Sequence, residues 1–170
     1  MAGRAWLAGL IDGEGSVGIN RSKPGPGQPN GVISAVFQIS MTCPVTIAKV
    51  YRLLDKMGVH GRRYTYIEKN PAIHRDAHMI HVTRLASVDT IARAVLPFSV
   101  TKKRHWQLVL RFVKHRTGGK KIDYSGRKHT GRTQKRPYDK TDFALVEQAR
   151  ALNRRGGGSA IKRGSLDLTK

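Results

Sequence analysis

The alternation of apolar and polar residues predicts a small domain of mixed helices and strands. Residues 4–13 are typical of a helix, for which Gly15 would supply a left-handed cap, and residues 16–21 are typical of a short strand. A Pro- and Gly-rich loop follows at 23–31. The clearest pattern is at 32–42, where every second residue is apolar and one face of a strand would therefore be buried.

Helical periodicity returns at Pro44, where an apolar stripe predicts a helix that ends at Gly58. Two further strands are predicted at 61–68 and 77–84, joined by a polar loop. The remaining helices are predicted from an N-cap at Ser87 to Leu96, at 101–115, and from a cap at Asp139 or Thr141 to Leu152.

This order of elements predicts the α+β class, with one antiparallel sheet covered by helices. The predicted domain organisation has three parts. Residues 1–117 form the core, 118–137 a basic flexible linker, and 138–170 a C-terminal helix with a basic tail.

The amino-acid composition indicates the kind of partner that the protein binds. The 170 residues carry a formal charge of +21, of which residues 1–101 contribute +6 and residues 102–170 contribute +15. Such an excess favours nucleic acid as the ligand. The single cysteine excludes an intramolecular disulfide. No apolar run reaches the ~20 residues of a membrane span, and no signal peptide is evident, so we expect no membrane partner and an intracellular location in an unspecified compartment.

One segment breaks local rules. Gly9 and Gly13 lie one turn apart within the first helix, although glycine costs roughly 0.5–1 kcal/mol there. Asp12 and Glu14 lie at its C-terminal end, where the helix dipole disfavours negative charge. Glycines at this spacing allow a second helix to approach closely, so a second copy would bring two Glu14 carboxylates together. A hard divalent ion such as Mg²⁺ would relieve their repulsion.

The nine residues LAGLIDGEG at 7–15 resemble the signature of the LAGLIDADG homing endonucleases, from which they differ only at Gly13 and Glu14. The later segments VFQISMT, KVYRLLDKMGV and LPFSVTKKRHWQLVLRFV are similar to the single-motif branch of that family. The resemblance covers Trp6–Arg116, with a weaker match at Tyr138–Asn153. It implies an αββαββα fold with a saddle-shaped antiparallel sheet, helices packed on one face, and additional C-terminal helices.

The resemblance also implies roles for residues of the motif. Glu14 matches the catalytic metal-binding acid, and the Gly13 carbonyl would be a second ligand of Mg²⁺ or Mn²⁺. Asp12 matches an acid that supports the turn after the helix. Gly9 and Gly13 match the contact between two subunits. Lys102 matches a catalytic lysine near the scissile phosphate, although it could equally be a phosphate-binding member of a basic cluster.

A set of polar positions is implied to contact DNA from the sheet and its ends: Asn20, Arg21, Lys23, Gln38, Ser40, Thr42, Arg63, His81 and Thr83. The chain departs from the family at Met41, where a polar residue that orders the attacking water is common. Gln38 is therefore the candidate for that catalytic role, with Thr42 as the alternative. His74, His78 and His81 are interpreted as surface or DNA-facing residues rather than metal ligands.

The predicted function is a site-specific double-strand DNA endonuclease, active as a homodimer because the chain has one motif. It would hydrolyse a long, nearly palindromic target with a divalent metal and leave short 3′ overhangs. Two alternatives stay open on the same fold. One is a maturase that binds its own intron RNA, and the other is a noncatalytic DNA-binding protein.

Overall fold

The computed structural model describes residues 2–26, 28–59, 61–66, 76–119 and 137–157, of which 155–157 are described by backbone alone. The helices and strands in these ranges are α1 Ala2–Glu14, β1 Gly15–Arg21, β2 Ile33–Met41, α2 Pro44–Lys56, β3 Arg62–Tyr66, β4 Ala77–Val82, α3 Leu85–Val95, α4 Lys103–Thr117 and α5 Lys140–Gly157. The predicted element order is confirmed. The predictions for His74, for most of the linker and for the basic tail lie outside the described residues.

The four strands form one sheet in the order β1-β2-β4-β3, and each neighbouring pair is antiparallel. Because side chains alternate along a strand, every second residue of β2 points to the same side. Ile33, Ala35, Phe37 and Ile39 are buried on one side, and this side carries the helices. The other side is the outer face of the sheet, and it bears no helix among the described residues.

The core lies between the sheet and the helices. Trp106 of α4 is fully buried and its ring lies 6.1 Å from that of Phe37, so α4 packs directly against the middle of the sheet. The apolar stripe of α2 is buried as predicted, through Ile47, Val50 and Leu54. None of the described helices has the length and apolar character that crossing a membrane requires.

Helix α5 joins the same core. Leu145, Val146 and Ala149 are buried in one cluster with residues of the sheet and of α4. Just before α5, the Tyr138 hydroxyl accepts a hydrogen bond from the Ile33 amide (3.0 Å) and donates one to the Ile33 carbonyl (3.2 Å). A side chain therefore satisfies backbone groups at the start of β2, and the C-terminal helix is packed as part of the domain.

Two predicted caps are wrong. Gly15 does not adopt a left-handed conformation, because the glycines with positive φ in the described residues are others. It is instead the first residue of β1, where an added Cβ would lie 2.8 Å from the Ile11 Cγ2 atom. Close packing of strand against helix therefore requires this glycine. Ser87 does not cap α3 either; the helix begins at Leu85, Arg84 is the N-cap, and Ser87 is buried within the helix.

Candidate active site and nucleic-acid interface

The C-terminal end of α1 is fixed by Asp12. Its carboxylate accepts hydrogen bonds from the Ser99 hydroxyl (2.6 Å) and from the amides of Val100 (2.5 Å), Thr101 (3.1 Å) and Lys102 (3.1 Å). These residues form the turn between α3 and α4. Amides at the start of a helix have no hydrogen-bond partner within that helix, so the Asp12 carboxylate supplies one. Asp12 thus joins α1 to the start of α4, so its role is structural, but the turn it supports is the one before α4 rather than the predicted turn after α1.

The same contacts determine the charge state of Asp12. Burial by itself raises the pKa of the carboxyl, but the hydrogen bonds from Ser99, Val100, Lys102 and Thr101 together lower it below 3.8. The carboxylate is therefore ionised at neutral pH. The negative charge that is unfavourable at the end of α1 is stabilised because it also lies at the N-terminal end of α4.

Lys102 lies beside the motif. Its ammonium group donates a hydrogen bond to the Asp12 carbonyl oxygen (2.9 Å), and its side chain is half-buried. The backbone of the same residue is held by the Asp12 carboxylate, so two contacts from Asp12 position it. The predicted catalytic lysine is therefore held at the C-terminal end of α1, the helix that also carries Glu14.

Glu14 differs from Asp12. It is exposed, and it makes no hydrogen bond or ion pair with the residues that the structure describes. Gly13 next to it is also exposed, and an added Cβ would meet nothing within 4 Å. One carboxylate and a neighbouring backbone carbonyl are thus accessible from solvent at this end of α1.

The predicted subunit contact is an open surface in the single chain. Gly9 is exposed, an added Cβ there would also meet nothing within 4 Å, and Ala5 lies one turn before it on the same face. The exposed strip Ala5–Gly9–Gly13 therefore has only small residues, and its backbone is accessible to a second helix.

The outer face of the sheet brings together several predicted DNA-contacting residues. Gln38 lies across from Ser16 on one side and from His81 on the other, and His81 lies across from Arg62. This row crosses all four strands. Asn20 and Ser40 occupy further positions on the same face, because they are an even number of residues from Ser16 and Gln38 on their strands.

Two predicted residues lie elsewhere. Arg63 lies across from Ile80, on the helical side, where its guanidinium stacks over the ring of Tyr51 at 4.0 Å. Arg21, across from Ile33, stacks over the ring of Phe143 at 4.8 Å. The prediction that Arg63 shares the surface of Gln38 is therefore wrong, since β3 presents Arg62 instead.

The other predicted positions are at strand ends. Lys23, Thr42 and Thr83 are exposed in the segments that follow β1, β2 and β4, and no contact places them within the row of Gln38. Met41 packs partly against the core on the helical side, so it is Gln38 and not Met41 that reaches the outer face. His78 and His81 lie on opposite faces of β4, which excludes a shared metal between these two.

Sequence reasoning missed a row of aromatic residues on the outer face. Tyr64 and Tyr66 lie on the same side of β3 as Arg62, and their rings stack with centroids 6.5 Å apart. Both are exposed. Their alternation is visible in the sequence RRYTY, but every residue of β3 is exposed, so no apolar pattern could show which side faced outward.

One group of metal-ligating side chains is found within the described residues, and it is not at the motif. His115, Asp139 and Asp142 offer atoms that lie within 4.8 Å of one another, where α4 meets α5. The Arg116 guanidinium donates to the Asp142 carboxylate at 2.9 Å, and both side chains are buried. Since a cation already occupies this position, we interpret the group as an ion-pair network.

Solved structures show what this architecture is similar to. I-CvuI, a homing endonuclease in complex with DNA, is 18% identical, with a TM-score of 0.53 over 65% of each chain. I-TnaI, also a homing endonuclease, is 17% identical, with a TM-score of 0.53 over 68% of this chain and 74% of its own. The archaeal intron-encoded homing endonuclease I-Vdi141I, complexed with DNA, is 13% identical, with a TM-score of 0.52 over 87% of this chain and 96% of its own.

No family model matches the chain, and no curated protein matches it with significance. The chain spans about two thirds of the length of I-CvuI. The class that the fold defines is nevertheless plain: an α+β domain with four antiparallel strands, five helices in its described residues, and the motif helix α1 first. The protein has the fold of the LAGLIDADG homing endonucleases, as the motif at 7–15 led us to expect.

Proposed function

We propose that the protein is a site-specific double-strand DNA endonuclease that acts as a homodimer. The observation that carries the proposal is the contrast at the end of α1. Asp12 is held by four hydrogen bonds, while Glu14, two residues later, stays exposed without a partner among the described residues. Folding thus presents one carboxylate to solvent beside a polar sheet, in a chain of net charge +21.

The residues at the motif fit a hard divalent cation. Glu14 supplies carboxylate oxygens and Gly13 supplies a carbonyl oxygen, which are the ligand types that Mg²⁺ and Mn²⁺ take. Among the described residues, one chain leaves a single accessible carboxylate at this point, because Asp12 is held by its hydrogen bonds and the group of three metal-ligating residues lies elsewhere. When bound, the ion would lower the pKa of water and stabilise the leaving oxygen of a phosphodiester.

The remaining roles belong to the residues of the chain. Glu14 and Gly13 would hold the ion, and Lys102 would place positive charge beside the scissile phosphate. Asp12 would act as a positioning residue, since it binds both the backbone and the ammonium group of Lys102. Gln38 is the polar outer-face residue of β2 proposed to orient water. An intracellular location is part of the proposal, because the substrate is genomic DNA.

The outer face of the sheet would lie along the major groove, where base edges are distinguishable. Asn20, Gln38, Ser40 and His81 would contact bases, and Arg62 with Tyr64 and Tyr66 would extend that surface along β3. Phosphate contacts from Lys and Arg would give a steep dependence on salt. Thr42, Thr83 and Lys23 would contact DNA from the ends of the strands.

The homodimer is proposed because the exposed strip on α1 has no partner helix in the part of the chain that the structure describes. An added Cβ at Gly9 meets no described atom within 4 Å, and Gly9→Leu improves helix propensity by roughly 0.8 kcal/mol, so monomer stability should not fall. We expect it to convert dimer to monomer in sedimentation velocity. Ala48→Leu, on the exposed face of α2, is the matched control and should stay dimeric. A dimeric Gly9→Leu protein would contradict the proposed interface.

Nuclease activity is tested without knowledge of the target. A plasmid library with a randomised insert is incubated with the protein and Mg²⁺, and linear molecules are captured by adaptors that ligate to 3′ overhangs. Sequencing should recover one nearly palindromic site, cut on both strands. Recovery of cut sites without sequence preference would contradict the proposed site specificity. Recovery of no cut site, while the protein binds the same library, would contradict the proposed cleavage and favour a noncatalytic DNA-binding protein.

A further inference from the structure

A groove runs between α4 and α5 on the helical side of the domain. Its volume is about 470 Å³, which is within the size range of small-molecule and cofactor sites. Leu108 of α4 and Leu152 of α5 contribute apolar surface, and Arg104 and Arg111 of α4 contribute guanidinium groups. None of the functional roles proposed above involves these residues.

The groove faces away from the sheet. An α-helix turns by about 100° per residue, so Arg104 lies about half a turn around α4 from Trp106 and from Val113. Trp106 contacts Phe37 of the sheet, and Val113 is buried. Arg104 and Arg111 are two turns apart on the opposite side and are exposed. A ligand in this groove would therefore not compete with DNA on the outer face of the sheet.

The groove is cationic. Helix α4 has five Lys or Arg residues and no Asp or Glu. On α5, the exposed acid next to the groove residue Gln148 is Glu147, and its carboxylate pairs with Arg150 at 2.6 Å. Arg111 donates to the Gln148 side chain across the groove at 3.3 Å, which uses one of the five N–H donors of a guanidinium. The remaining donors of Arg104 and Arg111 suit phosphate oxygens.

The combination of apolar surface and guanidinium groups favours an unpaired nucleotide. A duplex would offer this groove phosphates and base edges but no base face, because its bases are stacked on one another, whereas a single strand can place the face of a base on apolar surface. The amides of Gln107 and Gln148 border the groove and can bond to base edges and to a 2′-hydroxyl. The 2′-hydroxyl is present in RNA and absent from DNA.

We propose that the α4–α5 groove is a second nucleic-acid site, which binds single-stranded RNA on the side of the domain opposite the sheet. Arg104 and Arg111 bind phosphates, Leu108 and Leu152 contact an unpaired base, and the two glutamines contact the ribose and the base edge. The site does not depend on Glu14 or on a metal, so its test is independent of the proposed nuclease.

The test uses fluorescein-labelled oligouridine and oligothymidine, the full-length protein in EDTA, and fluorescence anisotropy. The double variant R104Q/R111Q should bind oligouridine roughly tenfold more weakly. Its slope of log affinity against log salt should fall by about 1.4, as two lost phosphate contacts predict for a single strand. The matched control R52Q/K56Q removes two exposed charges from α2 and should retain affinity within about twofold.

A second variant separates the apolar contact from charge. Ala151 lines the groove, so Ala151→Trp fills it without a change of charge, while Ala48→Trp adds the same ring to α2. We expect Ala151→Trp alone to weaken oligouridine binding, with an unchanged salt slope and an unchanged melting temperature. Equal losses in R104Q/R111Q and R52Q/K56Q would overturn the site. Equal affinity of the wild-type protein for oligouridine and oligothymidine would overturn its assignment to RNA.

Discussion

Two pairs of acidic residues in this molecule have opposite surroundings. At the end of α1, Asp12 is held by the chain and Glu14 is left exposed. Where α4 meets α5, both acids are held: Asp139 contacts His115 at 3.0 Å, and Asp142 contacts Arg116 at 2.9 Å. Each acid of the second pair thus contacts a basic residue of the domain. In the first pair, Asp12 has hydrogen-bond donors, whereas Glu14 has no partner among the described residues.

The α4–α5 junction is also a helix cap. The Asp139 carboxylate accepts hydrogen bonds from the amides of Thr141 and Asp142, and the Asp142 carboxylate accepts one from the Asp139 amide. This reciprocal arrangement satisfies the first amides of α5. Its acids are therefore explained by the fold, whereas Glu14 has no such explanation. An unmatched acid in a chain of this charge indicates function, and matched acids indicate structure.

The largest effect on stability is expected at the junction. Arg116→Met leaves the Asp142 carboxylate buried without its guanidinium, which should lower the free energy of unfolding by about 3–5 kcal/mol in urea denaturation. Arg150→Met removes an exposed pair with Glu147 and should cost no more than about 1 kcal/mol. Similar losses in the two variants would show that burial does not distinguish the pairs.

A smaller loss is expected at Asp12. Asp12→Asn turns an amide group toward backbone donors, so the free energy of unfolding should fall by about 2 kcal/mol. Glu14→Gln should change it by less than about 0.5 kcal/mol, because the side chain is exposed. If the two variants were equally stable in urea titrations, the contrast between these acids would be wrong.

The pH dependence sharpens the same contrast. Because the folded state lowers the pKa of Asp12, the ionised form stabilises the fold fully above the unfolded value of 3.8. That stabilisation is lost as the pH falls through the folded-state pKa. The stability difference between wild type and Asp12→Asn should thus be constant near neutral pH and shrink below pH 3.8. A difference that grows on acidification would contradict the hydrogen-bond account.

The smallest effect on stability is expected in β3, where one of two neighbouring arginines contacts the domain and the other lies on the outer face. Arg63 stacks on Tyr51, so Arg63→Ala should lower stability by about 0.5–1 kcal/mol and leave DNA affinity nearly unchanged. Arg62 lies on the outer face, so Arg62→Ala should weaken duplex binding and leave stability unchanged. Both variants are tested by duplex affinity and by chemical denaturation. A loss of stability in Arg62→Ala together with a loss of duplex affinity in Arg63→Ala would show that the two faces of β3 are exchanged.

The sequence predicts most of this fold because its patterns are strong where side chains are buried. Strand β2 alternates clearly, and α2 has both an opening Pro44 and a closing Gly58 with positive φ. The prediction failed for Arg63, since β3 has no buried residue to indicate its register. At the site, the motif predicts Glu14 as the metal-binding acid, which stays a prediction. The Asp12 contacts with residues 87 or more positions away could not be seen in a local pattern.

The central claim is that Glu14 is the acid required for cleavage. Its most direct test compares wild type with Glu14→Gln on the duplex recovered from the randomised library, with binding measured in Ca²⁺ and cleavage measured in Mg²⁺. We predict that Glu14→Gln melts and binds the duplex as the wild type does and fails to cut either strand. Cleavage by Glu14→Gln at the wild-type rate would contradict the account.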